Sequence, residues 1–104
     1  MITLTDVQNE VKRQIIRDYG SQNIQDVNTC MILGLAEEAG EVAGLLKRVY
    51  RGLPKDLERA THENFIDEMG DVLWYLAACC ATQGTSLEEI WEHNIQKLKA
   101  RYGE

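Results

Sequence analysis

Two segments, Leu35-Ala-Glu-Glu-Ala-Gly-Glu41 and Asp67-Glu-Met-Gly-Asp71, decide how this chain of 104 residues is read. Each holds a carboxylate pair in the frame acid-x-Gly-acid: Glu38 with Glu41, and Glu68 with Asp71. That spacing puts both side chains of a pair on one helix face, a turn apart. At roughly 100° per residue, the first segment belongs to an apolar arc of Met31, Leu35, Ala39, Val42, Leu46 and Val49. The second belongs to an arc of Phe65, Met69, Val72, Leu73, Leu76 and Cys79. Glu38 and Glu68 project inside these arcs, Glu41 and Asp71 lie at their edges, and Glu37 stands further round toward the polar side. A carboxylate in an apolar face is costly unless it is paired or protonated. Neither arc contains Lys or Arg, so a bound divalent cation is the more economical way to neutralise the acids. The donors are all oxygen, which favours Mg²⁺, with Mn²⁺ as the alternative, over Zn²⁺ or a redox iron. The Glu-x-x-His pattern of ferritin-like di-iron bundles is absent, and His62 and His93 lie off the acidic segments and read as surface residues. The pattern points to a metal-dependent enzyme acting on a phosphorylated substrate. The competing reading is a non-enzymatic helical interaction module whose acids are structural.

The rest of the chain supplies helices around these two. Thr3 or Thr5 can cap a first helix that runs to about Tyr19 and stops at Gly20. Its face holds Leu4, Val7, Val11, Ile15 and Tyr19, with Gln8 near it as a core amide. Residues 21–28 read as a polar connection ending in a cap at Asn28 or Thr29. The second helix then spans about Cys30 to Arg51, before Gly52. Residues 52–60 contain the chain's one proline and make a linker with a short helical turn. The third helix runs from near Thr61 to Gln83, before Gly84. A capping box over Ser86–Glu89 opens the fourth, whose face carries Leu87, Ile90, Trp91, Ile95, Leu98 and Tyr102. Asn94 falls inside that face, and Lys97 and Arg101 fall at its margin. No strand pattern occurs. The expected fold is all-α, four main helices in a bundle-like single domain over residues 1–104, with the active site on a hairpin of the second and third helices. Gly40 and Gly70 point away from the arc centres, where they would allow close backbone packing.

The formal net charge of -6 argues against a nucleic-acid polymer or an anionic membrane as partner. A metal would reverse that sign locally and admit phosphates. Cys30, Cys79 and Cys80 have no disulfide-framework spacing and read as small buried apolar residues in a reducing compartment. No apolar run approaches the roughly 20 residues of a membrane span, and the N-terminus lacks a signal-peptide layout. A cytoplasmic location is expected.

At its acidic residues the sequence resembles the MazG family of nucleotide pyrophosphohydrolases, the all-α NTP pyrophosphatases. That family's pattern is Glu-Glu-x-x-Glu, a variable gap, then Glu-x-x-Asp. Here it stands as Glu37-Glu38-Ala-Gly-Glu41 and Glu68-Met-Gly-Asp71, and the resemblance continues through Asp71-Val-Leu-Trp-Tyr75 and Asn94-Ile-Gln-Lys-Leu-Lys-Ala-Arg-Tyr102. The resemblance implies Mg²⁺-dependent hydrolysis of an NTP or dNTP to the monophosphate and pyrophosphate, a nucleotide-pool house-cleaning role. It implies metal ligation by Glu38, Glu41, Glu68 and Asp71, with Glu37 supporting the ligands or holding a further metal. Glu38 or Glu41 would take the proton of the attacking water. Lys97, Asn94 and Arg101 are candidate substrate contacts, Lys97 and Arg101 being equally suited to helix-end ion pairs. Tyr75 is a candidate for stacking on a base or for core packing. Lys47, Arg48, Arg51 and Lys55 form a basic cluster around the linker, a phosphate attractor or a solvated surface. Trp74, on the polar side of its helix, reads as an oligomer contact, and related proteins lead us to expect a homodimer or homotetramer. Phosphoribosyl-ATP is the alternative substrate within the same chemistry.

Overall fold

A computed structural model describes residues 1–58 and 61–103. They form α1 (Leu4–Tyr19), α2 (Ile24–Arg51), α3 (Pro54–Leu57), α4 (His62–Gln83) and α5 (Leu87–Tyr102), and no strand is found among them. The fold is all-α, as expected, with α3 as the short turn within the linker; Arg59 and Ala60 of that linker lie outside the described residues.

Each long helix starts on a side-chain cap, which satisfies backbone N–H groups that have no intrahelical partner. Thr3 and Asp6 form a reciprocal capping box at α1. Thr61 accepts from the Asn64 N–H at α4, and Ser86 from the Glu89 N–H at α5. The start of α2 differs from the sequence reading. The helix begins at Ile24, with Asn23 Oδ1 accepting from the N–H groups of Gln25 (2.9 Å) and Asp26 (3.3 Å). Gln25 and Asp26 face solvent in its first turn, whereas Val27 is buried, so only residues 21–23 of the expected connection lie outside a helix and the rest is the start of amphipathic α2.

α2 and α4 form the most extensive pairing in the molecule, and they run antiparallel. Asn28 on α2 accepts a 2.7 Å hydrogen bond from the Thr82 hydroxyl on α4. Gly34 lies against Tyr75, Glu38 meets Glu68 and Asp71, and Val42 shares a pocket with Phe65. Ascending numbers on α2 thus meet descending numbers on α4, and the acids sit midway along the pair.

At one end of this pair, α1 and α5 complete a core. Val11 and Ile15 of α1, Val27 and Met31 of α2, Ala77, Ala78 and Cys80 of α4 and Leu87 of α5 are buried together. Ala77 and Ala78 have no exposed surface, and their small side chains let α1 approach α4 closely. Gln8 is the core amide expected. Its Nε2 donates to the Ala77 carbonyl at 3.2 Å, while its Oε1 has no partner among the described residues. Trp74 corrects the sequence reading. Its side of α4 faces α1, where the indole N–H donates to Gln14 Oε1 at 2.9 Å and the half-buried ring packs against the core. Cys80 is buried and Cys79 half-buried, but Cys30 is exposed, contrary to expectation.

Among the described residues, the other end of the α2–α4 pair has no such cover. Leu46, Val49, Tyr50, Phe65, Ile66 and Met69 are exposed, although Leu46, Val49, Phe65 and Met69 belong to the apolar arcs. The radius of gyration, 16.5 Å, exceeds the roughly 13 Å of a compact domain of this length.

Candidate metal centre

The antiparallel register brings Glu38 of α2 opposite Glu68 and Asp71 of α4. One carboxylate oxygen from each of these three residues lies within 4.8 Å of the other two. Glu38 and Glu68 are half-buried and Asp71 is exposed, which matches their places inside and at the edge of the apolar arcs. Glu41 is exposed and lies outside this converging group, one turn further along α2, and Glu37 is also exposed. Among the described residues nothing lies within 4 Å of a Cβ at Gly40 or Gly70, the glycines of the acidic frames, so they mediate no close packing there.

No cation among the described residues is paired with the cluster. Among the described residues the ion pairs are Glu10–Arg13, Arg17–Asp18 and Arg51–Asp56, and none of them touches these acids. Partial burial holds the Glu38 carboxyl above the ordinary carboxylate range, and repulsion from Asp71, Glu68, Glu37 and Glu41 adds to the shift. The donor set fits a hard divalent cation. Oxygens bound to Mg²⁺ at about 2.0–2.1 Å lie up to about 4 Å apart, so small side-chain rotations would close these three around one ion. Glu38, Glu68 and Asp71 would hold it, with Glu41 in reach of the same face of α2.

One turn from the acids, the Tyr75 ring lies across Gly34. A Cβ built on Gly34 would stand 2.1 Å from Tyr75 Cε1. The ring also meets Trp74 edge-on, with centroids 5.0 Å apart and planes at 76°. Burial pushes the Tyr75 hydroxyl up, with smaller contributions from Tyr19, Glu38, Glu37 and Asp71. Tyr75 is therefore a packing residue of the α2–α4 interface, beside the acids. The sequence reading missed its partner Gly34, although Gly34 precedes Glu38 by one turn on the same face.

The other candidate contacts gather elsewhere. Asn94 lines a groove with Leu4, Leu73, Leu76, Leu87, Ile90 and Trp91 between α1, α4 and α5. On α4, Leu73 stands roughly 200° round the helix from Asp71, so this groove and the acids occupy opposite faces. Lys97 and Arg101 are exposed on α5. Within one chain none of these three joins the acidic cluster. In the basic group around the linker, Arg51 is engaged by Asp56 through two hydrogen bonds of 2.6 and 2.7 Å. That pairing holds Asp56 below the ordinary carboxylate range. Lys47 and Lys55 are exposed and Arg48 is half-buried.

The model of the MazG nucleotide pyrophosphohydrolase domain matches residues 26–104. The chain belongs to this family. The MazG match takes in both acidic segments and excludes α1. Among curated relatives, Gene 37 protein of Mycobacterium phage L5 is 30% identical over 69 residues, covering 66% of this chain and 60% of the phage protein. Uncharacterized protein YvdC of Bacillus subtilis (strain 168) is 34% identical over 73 residues, covering 65% of this chain and 69% of its own length. The chain thus spans less than two thirds of the phage relative's length. No solved structure matches it significantly. No described helix is long and apolar enough to cross a membrane.

Proposed function

We propose that this MazG-family chain is a Mg²⁺-dependent nucleoside triphosphate pyrophosphohydrolase, converting an NTP or dNTP to the monophosphate and pyrophosphate. The observation that carries this reading is the convergence of Glu38, Glu68 and Asp71 from two helices with no Lys or Arg among the described residues paired to them. Uncompensated carboxylates repel a triphosphate, so the site needs a cation before it can accept one. Bound Mg²⁺ would neutralise phosphate charge and polarise both the phosphorus centre and a water. Glu38, Glu68 and Asp71 would hold the cation. Glu41 stands outside the converging oxygens and is free to take the proton of the attacking water, with Glu38 as the alternative. Attack at the α-phosphorus releases pyrophosphate.

In this reading the chain works as a homodimer or homotetramer of single-domain subunits, with Mn²⁺ an acceptable replacement for Mg²⁺ and the cytoplasm as its location. The exposed apolar residues of α2 and α4 support self-association. Lys97, Asn94 and Arg101 would then meet substrate from a neighbouring subunit, Asn94 lining a groove on the face of α4 opposite its own chain's acids.

Pyrophosphate release from a panel of NTPs, dNTPs and phosphoribosyl-ATP, with and without Mg²⁺, tests the proposal. Glu38→Gln and Asp71→Asn are expected to lower the rate at least about a hundredfold, the order of effect of removing a transition-state electrostatic contact, with helicity unchanged. Full activity in either variant overturns the site assignment. Failure of every substrate, together with no Mg²⁺-dependent rise in Tm, would leave the interaction-module reading standing.

A further inference from the structure

We propose that Gly34 is a positioning residue for the acidic centre: its bare backbone seats the Tyr75 ring and thereby sets the α2–α4 spacing at which Glu38, Glu68 and Asp71 converge. The inference rests on the metal-centre reading above. Gly34 lies one turn before Glu38, and Tyr75 one turn after Asp71, so the contact and the acids share one face of the helix pair. The two levels are separated by about 6 Å along the axis. A Cβ on Gly34 would lie 2.1, 2.5 and 2.6 Å from Tyr75 Cε1, Cδ1 and Cζ, well inside van der Waals contact. The ring has little freedom to yield, being half-buried and held edge-on by Trp74, which is itself hydrogen-bonded to Gln14. Helices move as rigid bodies, because packed interiors transmit displacement. A shift of about an ångström forced at Gly34 therefore reaches the carboxylates a turn away, and loss of fit on that scale weakens a metal site. Gly44 is the internal control. It lies on the same helix, and a Cβ there meets no described residue within 4 Å.

Mn²⁺ binding to the full chain, measured by isothermal titration calorimetry with helicity followed by circular dichroism, tests this. Gly34→Ala is expected to weaken Mn²⁺ at least about tenfold with helix content retained, while Gly44→Ala leaves binding unchanged. Tyr75→Leu, which opens a void opposite Gly34, is expected to weaken it about fivefold. Gly34→Ala combined with Tyr75→Leu restores complementary size and should return binding to within about threefold of wild type. Wild-type affinity in Gly34→Ala overturns the proposal, as does a double variant weaker than both single ones. If Gly34→Ala does not fold, the comparison of Tyr75→Leu with the double variant decides on the same criterion. Absence of Mn²⁺ binding by the wild-type chain defeats the metal reading itself, and with it this proposal. That result is distinct from intact wild-type binding that ignores Gly34.

Discussion

The two ends of the α2–α4 pair carry similar residues in dissimilar surroundings. At the end where α1 and α5 dock, Val27, Met31, Ala77 and Ala78 are all but removed from solvent. At the other end, Leu46, Phe65 and Met69 lie on the same kind of apolar arc and remain 59%, 45% and 42% exposed. A two-helix layer buries only the seam between its members, and a core needs a further layer on top. The acidic centre lies at the boundary, anchored on the covered side by Tyr75 and open on the other. The contrast teaches that the chain builds its own core at one end and is finished, in our proposal, by self-association at the other.

Breaking the covered end should have the largest effect. Met31→Ala removes a side chain that is 2% exposed in the shared core, and chemical denaturation should show a loss of about 2–5 kcal/mol. An equally drastic change at the open end, Phe65→Asp, should leave the single chain folded. Light scattering should then show self-association weakened at least about tenfold, roughly 1.4 kcal/mol, with mass moving toward 11.8 kDa. If Phe65→Asp unfolds the chain as severely as Met31→Ala, the two ends are not independent. A smaller change sharpens the comparison at the covered end. Thr82→Val deletes the 2.7 Å hydrogen bond to Asn28 and is expected to cost about 1 kcal/mol in the same denaturation assay.

The smallest effect concerns the boundary. Glu38 holds its proton more tightly folded than unfolded, since partial burial and the neighbouring acids raise its pKa. The folded state therefore binds more protons, and stability must fall as pH rises from the unfolded pKa, about 4.3, through the raised folded value. Metal-free chain should show a Tm that declines across this window, and Glu38→Gln should flatten the decline. Added Mg²⁺ at neutral pH should recover the lost Tm in wild type and not in the variant. An unchanged pH profile in Glu38→Gln would assign the decline to other groups.

Much of this was legible in the sequence, because helical periodicity fixes direction around an axis. The half-burial of Glu38 and Glu68, and the exposure of Glu41 and Asp71, follow from the wheels alone. What a wheel cannot carry is the identity of the neighbour. Trp74 does point away from the α2 face, but α1 waits there and supplies Gln14. Leu46 and Phe65 do fall on apolar arcs, but no element among the described residues covers them. The close approach at Gly34 exists only as a pair with Tyr75, two helices apart in sequence. The start of α2 was hidden for a local reason: Gln25 and Asp26 lie on the solvent side of its first turn, the polar Asn28 is turned toward Thr82 of α4, and Asn23 serves as the cap in place of Asn28 or Thr29.

α2 ends at Gly52, whose backbone has a φ of 72° and whose N–H closes on the Arg48 carbonyl. The helical phase therefore stops there and begins again at Thr61. Residues inserted or deleted between these two points leave every carboxylate at its angle around its own helix, so the connection is free to drift in length. One residue inserted between Glu41 and Arg51 acts differently. It keeps the acids in phase with Gly34 while turning the apolar stripe beyond them by roughly 100°. Length variation within this helix thus separates the surface presented to other subunits from the site itself, and variation in the connection touches neither phase.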